Sequence, residues 1–309
     1  MSQTLPRIDF GVAEPALTAV SAEDEFGSPD LTADPIQGAL GDPSICASIV
    51  VPYYNPGDRL RPTVEHMVQA LNECGITFEI IAVSDGSTDG SSKTLDGMPE
   101  NLVRQVSYPV NAGKGNALRV GFGLARGDYV GFIDADGDIS PDFLAEFVAT
   151  MLSESPDLVI GTKRHPESIV NNSFVRRAYS WGYQSLVRIL FSLDVKDTQV
   201  GIKLMNRRVM DEVLPLLQED RFALDLELLV LAKSRGFTRI VEAPVRIEER
   251  SRSTISLKSV RRLLVDTATI FWRLSVRRGY SHDPANQPWD TSGAGADGIE
   301  SGLSSSVAI

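Results

Sequence analysis

The stretch Tyr129–Asp138, YVGFIDADGD, decides the predicted fold of this chain. Its first half is a short apolar run typical of a buried β-strand, and its second half places carboxylates at alternate positions, Asp134, Asp136 and Asp138. In open α/β sheets, ligands bind outside the carboxyl ends of the strands. Alternating carboxylates there supply the hard oxygen ligands that Mg²⁺ or Mn²⁺ prefers. The stretch therefore predicts a strand that ends at a metal site, with an ordinary acidic turn as the alternative.

On both sides of this stretch, apolar runs alternate with segments of helical spacing. The apolar runs predict strands at 45–51, 78–83, 102–106, 129–133 and 158–161. Helical spacing predicts helices at 59–72, 115–125, 141–152, 174–191, 209–217, 224–232 and 257–274, and 239–247 is extended. Strands that alternate with helices of this length indicate βαβ units. The predicted fold is α/β, a mainly parallel sheet with helices on both faces.

The acidic charge of the chain belongs to its ends. Residues 1–43 carry eight acids and one base, and residues 281–309 carry four acids and no Lys or Arg. Their charges of −7 and −4 account for the whole net charge of −11, so the residues between them are formally neutral. Low hydrophobicity with charge of one sign is the composition of disorder. We expect disordered acidic tails at 1–43 and 281–309.

Composition also excludes several classes of protein. The sequence contains no run of 18 apolar residues, so no membrane-spanning helix is predicted. The acidic N-terminus does not resemble a secretory signal. Two cysteines, Cys46 and Cys74, rule out a disulfide scaffold and a cysteine zinc site and fit a reducing compartment. A neutral middle part between acidic tails argues against nucleic acid as a partner. These features predict a cytoplasmic protein.

Two further polar motifs follow predicted elements. The segment 83–89, VSDGSTD, ends the second strand, where Asp85 could lie beside the Asp134 cluster and accept hydrogen bonds from a nucleotide base. The segment 111–117, NAGKGNA, opens a helix, and its glycines, Lys114 and helix N-terminus suit phosphate binding. It is not a P-loop, which ends in Gly-Lys-Ser/Thr. Each motif alone is equally compatible with a simple turn.

In their order and spacing, four motifs resemble the family-2 inverting glycosyltransferases of the GT-A fold. They are VPYYN at 51–55, VSDGSTD at 83–89, NAGKGNA at 111–117 and DAD at 134–136. Two later motifs are similar to those of dolichyl-phosphate glucosyltransferases and, more loosely, of polyprenyl-phosphate mannose synthases, namely DTQVGIK at 197–203 and RFALDLELL at 221–229. The resemblance covers about residues 44–275 and implies a Rossmann-like GT-A domain at 44–255.

The resemblance implies transfer of a hexose, with inversion, from a nucleotide sugar to a polyprenyl or dolichyl phosphate. UDP-glucose is the expected donor and GDP-mannose the alternative. The competing hypotheses are a soluble or polysaccharide acceptor and an inactive nucleotide-sugar-binding module at the membrane. A phosphatase that uses Asp134 and Asp136 is disfavoured, because its motif expects Thr or Val where Asp138 stands.

The resemblance also implies roles for individual residues. With Lys114 from the glycine-rich motif, the expected donor-binding set is Pro52, Tyr54, Val83, Asp85, Lys114, Asp134 and Ala135. Asp136 and Asp138 would hold Mg²⁺ or Mn²⁺, and Lys163 stands where the family carries an arginine near the phosphates. The chain departs from the family pattern at Pro56, where glutamate is usual, and at Ser84, where aspartate is frequent.

The chemistry of the implied reaction indicates which side chains act. A divalent ion on Asp136 would offset the charge that the leaving diphosphate gains. A lipid phosphate has a second pKa of about 6, so it is largely dianionic at neutral pH and needs no strong base. Cations must hold it beside another anion. The candidates are Lys163, Lys203, Arg250 and Arg252. A sugar hydroxyl as acceptor would need a base, and Asp225 or Glu227, otherwise ordinary helix acids, would supply it.

The segment 256–280 is predicted to be a basic amphipathic helix. Between 250 and 280 the chain has eight bases against one acid, Asp266. One face carries an apolar stripe, formed by Leu257, Val260, Leu264, Ala268 and Phe271. Such a helix is typical of a membrane interface, and a core-packed helix with a solvated basic face is the alternative. We expect peripheral attachment to the cytoplasmic face of a membrane.

Overall fold

A seven-stranded β-sheet forms the centre of the fold in the computed structural model, which describes residues 45–170, 174–247, 257–277 and 280. Within these residues the strands are β1 (Ala47–Tyr53), β2 (Phe78–Asp85), β3 (Val103–Tyr108), β4 (Tyr129–Ile133), β5 (Leu158–Thr162), β6 (Ile169–Val170), β7 (Ile202–Asn206), β8 (Ile240–Pro244) and β9 (Arg246–Ile247). The predicted tails lie outside the described residues, as do Arg250 and Arg252.

The strand order is β3-β2-β1-β4-β7-β5-β8, and β6 pairs with β9 in a separate small sheet. Strand β7 is antiparallel to both of its neighbours, whereas the other neighbouring strands run parallel. The expected mainly parallel sheet is therefore confirmed. Such sheets need cover on both faces, because their crossover connections place helices there.

Helices cover both faces of this sheet. In the described residues they are α1 (Leu60–Glu73), α2 (Lys114–Leu124), α3 (Phe143–Glu154), α4 (Phe174–Phe191), α5 (Arg207–Val213), α6 (Leu224–Ser234) and α7 (Leu257–Trp272), with 3-10 turns at Gly57–Arg59, Ser91–Leu95 and Leu214–Leu216. Successive strand residues point to opposite faces. Val50 and Ile81 accordingly pack in one core cluster with residues of α2 and α6. Ile49 and Ile80 pack in the other with residues of α1 and α3.

Strand β7 is the strand of the seven-stranded sheet that sequence periodicity misses, since five residues between a loop and a helix give few alternations. It pairs Lys203 with Phe132 of β4. A Cβ on Gly131 would lie 2.4 Å from the carbonyl oxygen of Lys203, so only glycine fits there. Asn206 ends the strand and caps α5, accepting a hydrogen bond from its first turn at 3.0 Å. This strand brings Lys203 beside the end of β4.

Helix α7 packs against α4 and continues into a π-helical turn at Arg273–Arg277. The rings of Phe191 and Phe271 meet edge to face at 5.9 Å, so part of the predicted apolar stripe is packed. Other apolar side chains of the helix stay exposed, namely Leu264, Val265 and Trp272 at 43%, 58% and 47%. Within the described residues, no helix is long and apolar enough to cross a membrane.

A buried carboxylate ties together the amino ends of the parallel strands. Glu79 of β2 is 1% exposed. It accepts hydrogen bonds from the Ser48 hydroxyl at 2.7 Å, from the Arg126 guanidinium at 2.8 Å and from the Arg104 guanidinium at 3.1 Å. Burial alone would raise the pKa of Glu79, but these donors together hold the pKa below its ordinary value.

Glu79→Gln should destabilise the fold by about 1–3 kcal/mol, because the buried group loses its charge-assisted hydrogen bonds to two partly exposed guanidinium groups. Since the pKa of the folded state is depressed, this stabilisation is complete above the ordinary pKa of 4.5 and is lost as the pH falls through the folded value. The variant should therefore show a flatter acid limb in its stability curve. Thermal unfolding as a function of pH measures both effects.

Glu65→Gln is the matched control for this prediction. Glu65 pairs with Arg61 at 2.7 Å, but its side chain is 51% exposed. An exposed ion pair one helical turn apart contributes about 0.5 kcal/mol or less. Equal losses in the two variants would contradict the role given to Glu79.

Candidate active site

Three loops with predicted site residues meet at the carboxyl ends of β1, β2 and β4. Strand β1 lies between the other two in the sheet, so the loops that follow these strands are neighbours. Tyr54 follows β1, Asp85 ends β2 and Asp134 follows β4. The first turn of α2 reaches the same edge, because the amide of Gly113 donates to Asp85.

Asp85 is held by the loop that precedes α2. Its carboxylate accepts hydrogen bonds from the Tyr108 hydroxyl and the Ala112 amide, both at 2.8 Å, and from the Gly113 amide at 3.0 Å. The side chain is buried. The amides that the sequence assigns to a phosphate thus bind a carboxylate of the protein itself.

The glycines of the same motif make room for the segment 219–221. A Cβ on Gly113 would lie 2.3 Å from the carbonyl oxygen of Asp220, and one on Gly115 would lie 2.5 Å from that of Glu219. The amide of Asn116 donates to the Asp220 carbonyl at 3.1 Å. This segment therefore covers the N-terminus of α2, and the phosphate-binding role of the motif, for which a simple turn is the alternative, stays a prediction.

A chain of alternating charges runs from the site into the core. The ammonium of Lys114 lies 2.7 Å from Oδ1 of Asp134 and 3.4 Å from Oδ2 of Asp225. The ammonium of Lys203 lies 2.5 Å from Oδ1 of Asp225 and donates to the Val200 carbonyl at 2.9 Å. We call Asp134, Lys114, Asp225 and Lys203 the charge array. Its carboxylates and ammonium groups cancel in formal charge.

Both lysines of the charge array lie against one aromatic ring. Their ammonium groups lie 5.1 and 5.2 Å from the ring centroid of Phe132, within the range of cation–π attraction. Burial opposes the charge of Lys114, but Asp134 and Asp225 outweigh it and raise its pKa. Burial also opposes ionisation of Asp225, yet Lys114 and Lys203 together lower its pKa. Asp225 therefore stays ionised and is a poor proton acceptor.

Two side chains with roles predicted from the sequence lie inside the protein. Lys203 is predicted to hold an acceptor phosphate, but its side chain is 1% exposed and its contacts are internal. Asp225 is predicted as a possible base, but each of its oxygens lies against a lysine in the core. Lys114, predicted to contact the donor phosphates, is likewise engaged by two carboxylates.

Glu227, the other candidate base, is an internal anchor of the fold. It is 0% exposed, and it accepts hydrogen bonds from the amides of Gln218 and Glu219 at 3.0 and 2.8 Å and from the Tyr280 hydroxyl at 2.7 Å. The guanidinium of Arg273, after α7, lies 2.6 Å from Glu219 and 3.6 Å from Glu227. The base role of Glu227 stays a prediction, and the geometry disfavours it because both of its oxygens are occupied in the core.

Gly201 supports Asp134 on the side away from Lys114. The Asp134 amide donates to the Gly201 carbonyl at 2.9 Å. A Cβ on Gly201 would lie 2.0 Å from Oδ2 of Asp134. The carboxylate is thus held between an ammonium group and a bare backbone. The sequence shows Gly201 only as part of the motif at 197–203, directly before the segment that forms β7.

Asp136 and Asp138 remain the candidate metal ligands. Asp136 is exposed, and one of its oxygens accepts a hydrogen bond from the Asp138 amide at 3.0 Å. Among the described residues, no group of three or more His, Cys, Asp or Glu side chains is arranged to hold an ion. Mg²⁺ is commonly bound by one or two carboxylates together with substrate phosphates. The pair therefore fits a metal that arrives with, or is completed by, a phosphorylated ligand.

The loop after β1 is tied to the loop after β2. Asn55, at a left-handed φ of 48°, accepts a hydrogen bond from the Thr88 amide at 2.8 Å. The Gly57 amide donates to Asp89 at 2.8 Å. Tyr54 stands beside this connection with 54% of its surface exposed. The loop is thus fixed without the family's usual glutamate and leaves an aromatic side chain open to a ligand.

The other predicted residues differ in accessibility. Pro52, Val83 and Ala135 are buried, so their side chains belong to the core. Lys163 follows β5, is partly exposed and makes no ion pair with another described residue. The structure adds one cation that the sequence analysis does not place, Arg221. Its side chain is exposed and lies beside Gly113, since its Cγ is 3.2 Å from the position of a Cβ on that glycine.

Gly201→Ala should destabilise the protein by about 1–3 kcal/mol, because the new methyl group overlaps the Asp134 carboxylate. Gly182→Ala, on the exposed side of α4 with nothing within 4 Å of its Cβ position, should instead raise stability by roughly 0.5–1 kcal/mol through helix propensity. Thermal unfolding midpoints of the two variants provide the comparison. A Gly201→Ala protein as stable as the wild type would contradict the tight contact with Asp134.

Comparison with solved structures shows the fold. Mannosyl-3-phosphoglycerate synthase from Rubrobacter xylanophilus superposes with a TM-score of 0.59 at 19% identity, covering 77% of this chain and 76% of that one. Glucosyl-3-phosphoglycerate synthase from Mycobacterium tuberculosis, in complex with Mn²⁺, uridine diphosphate and phosphoglyceric acid, gives a TM-score of 0.57 at 20% identity. That match covers 80% of this chain and 84% of the synthase. The expected GT-A fold is confirmed.

Curated relatives extend the match to sequence. Dolichyl-phosphate beta-glucosyltransferase of Saccharomyces cerevisiae is 31% identical over 239 residues, or 70% of this chain and 71% of the yeast protein. The Drosophila melanogaster protein of the same name is 33% identical over 208 residues, or 62% of this chain and 64% of its own length. Residues 48–214 match the family described as Glycosyl transferase family 2. The chain belongs to this family and is a glycosyltransferase.

Proposed function

We propose that this glycosyltransferase moves glucose from UDP-glucose to a polyprenyl or dolichyl phosphate, with inversion. The observation that carries the proposal is the similarity to dolichyl-phosphate beta-glucosyltransferases across 70% of the chain. It favours UDP-glucose over GDP-mannose and a lipid phosphate over other acceptors.

The donor would bind where the loops after β1, β2 and β4 meet. Tyr54 offers an exposed aromatic surface for the nucleoside, and Asp85 fixes the loop before α2 on the opposite side. Pro52, Val83 and Ala135 would form the floor beneath it. Asp134 would face the donor with the part of its side chain that is open, 29% of its surface.

Asp136 and Asp138 would hold Mg²⁺ or Mn²⁺ against the diphosphate. The ion would supply Lewis-acid stabilisation of the charge that develops on the leaving group. The side chains contribute two hard oxygen donors at the exposed end of β4, which leaves the other coordination positions to phosphate oxygens and water.

The burial of both candidate bases supports a phosphate as the acceptor. A hydroxyl nucleophile needs a base within hydrogen-bond reach, whereas a phosphate dianion does not. Asp225 and Glu227 are both buried with their oxygens occupied. Lys163 and Arg221 would hold the acceptor phosphate from the described part of the chain, together with Arg250 and Arg252 beyond it.

Helix α7 would attach the enzyme to the cytoplasmic face of a membrane. Leu264, Val265 and Trp272 are exposed, and Arg261 and Arg262 are exposed on the same helix. Apolar and basic side chains exposed together are typical of interfacial helices, and each base near an anionic surface adds about 1 kcal/mol. Attachment there would bring the site to a lipid-linked acceptor.

The test of this function is transfer of labelled sugar into lipid. Vesicles that contain polyprenyl phosphate are incubated with Mn²⁺ and either labelled UDP-glucose or labelled GDP-mannose, and the lipid phase is extracted. We expect label in the lipid from UDP-glucose. Label from GDP-mannose alone would overturn the donor, and label only in water-soluble product would overturn the acceptor.

In this assay Asp136→Ala should lower turnover by about 100-fold or more, since Lewis-acid stabilisation is worth several kcal/mol. Asp96→Ala, which removes an exposed carboxylate of a turn outside the site, is the control and should be fully active. Wild-type activity that survives chelation of divalent ions would rule out the metal role of Asp136.

Replacement of Leu264 and Trp272 by serine should abolish sedimentation with vesicles rich in phosphatidylserine, because both side chains would insert their apolar surface. Val110→Ser, which removes a side chain 72% exposed on another surface, is the control and should sediment like the wild type. High salt should weaken binding of the wild type by screening its arginines. A wild type that stays in the supernatant at low salt would refute attachment through α7.

A further inference from the structure

Two residues of the charge array, Lys203 and Asp225, have no assigned role in the proposed reaction. Lys203 and Asp225 are the inner half of the array, with side chains that are 1% and 4% exposed. A buried ion pair is often no more stabilising than apolar residues of the same volume. Stability alone is therefore a weak reason for two lysines and two carboxylates in one row beside an active site.

The contacts of the charge array run from the core to the active site, in the order Lys203, Asp225, Lys114 and Asp134. Asp225 uses one oxygen for each lysine, Oδ1 for Lys203 and Oδ2 for Lys114, so its carboxylate plane is fixed by two cations. Lys203 is itself held from behind by the Val200 carbonyl at 2.9 Å. Lys114, thus fixed, lies 2.7 Å from Oδ1 of Asp134.

Asp134 is the outer end of this row and its partly open member. Its other oxygen lies against the backbone of Gly201, where a Cβ would come within 2.0 Å. An ammonium group on one side and a bare backbone on the other leave the carboxylate a single orientation. Both lysines also contact the Phe132 ring, which restricts their sideways movement.

We propose that Asp225 is a positioning residue, which acts through Lys114 to fix the Asp134 carboxylate for binding of the donor nucleotide, with Lys203 as its anchor. This inference rests on the proposed function, in which the donor binds at Asp134. Groups that orient metal-binding residues from behind typically change affinity by about 10-fold to 100-fold when they are removed, and we expect an effect of the same order here. A base at the same position would affect turnover and leave nucleotide affinity unchanged.

Calorimetric binding of UDP and of GDP in the presence of Mn²⁺ provides the test. Asp225→Asn removes the charge at constant shape, but it leaves Lys203 buried without a counter-charge. The double variant Asp225→Asn with Lys203→Met restores a neutral core and keeps the Lys114–Asp134 pair. Glu79→Gln is the control for a purely structural loss, because Glu79 lies at the opposite end of the strands.

We expect the double variant to fold and to bind nucleotide about 10-fold to 100-fold more weakly than the wild type. Glu79→Gln should bind with unchanged affinity although its unfolding midpoint falls. A double variant that binds as tightly as the wild type, whether active or inactive, would overturn the positioning role. A wild type that binds neither nucleotide would overturn the proposed function, and this inference with it.

Discussion

The contact of Lys114 with both Asp134 and Asp225 is the interaction on which the rest of the site depends. A charged group in the core is tolerated when it is paired, and each member of the charge array is the counter-charge of its neighbour. The strand order follows the same requirement, since β7 must lie against β4 for Lys203 to reach Asp225 beside Phe132. Gly131 and Gly201 have no side chains, which lets β4 approach β7 and lets the Asp134 carboxylate approach the backbone before β7.

The sequence predicts the outline of the fold because its signals are local. The apolar runs that become β1, β2, β4 and β5 are short, bounded and buried, and the rule that ligands gather at carboxyl ends of strands places Asp85 and Asp134 near each other. Strand β7 is not predicted, because a five-residue antiparallel strand inside a parallel sheet has no distinctive period. It forms a strand because it pairs with β4 and β5, and this pairing cannot be read from the sequence of the segment itself.

The roles of individual charges could not be predicted for the same reason. Lys114 and Asp225 are 111 residues apart in sequence, and nothing local to either shows that they meet. A lysine between two glycines at a helix start suggests an anion site, and in the structure the anions beside Lys114 are Asp134 and Asp225 of the protein itself. Motif chemistry specifies the sign of a partner, whereas packing decides which partner is bound.

The hydrogen bond from Tyr280 to Glu227, with Arg273 beside it, has a consequence for how the protein can be divided. The regions 44–255 and 256–280 look separable in sequence, as a catalytic part and an attachment part. The interior carboxylate of the first is nevertheless neutralised by side chains of the second. A chimera that exchanges the terminal helix between relatives must carry both sides of this contact, since a foreign helix would leave a buried acid without its hydrogen-bond and charge partners. Helix α7 is thus not a separable module, because the turn that follows it completes a buried contact of the catalytic part.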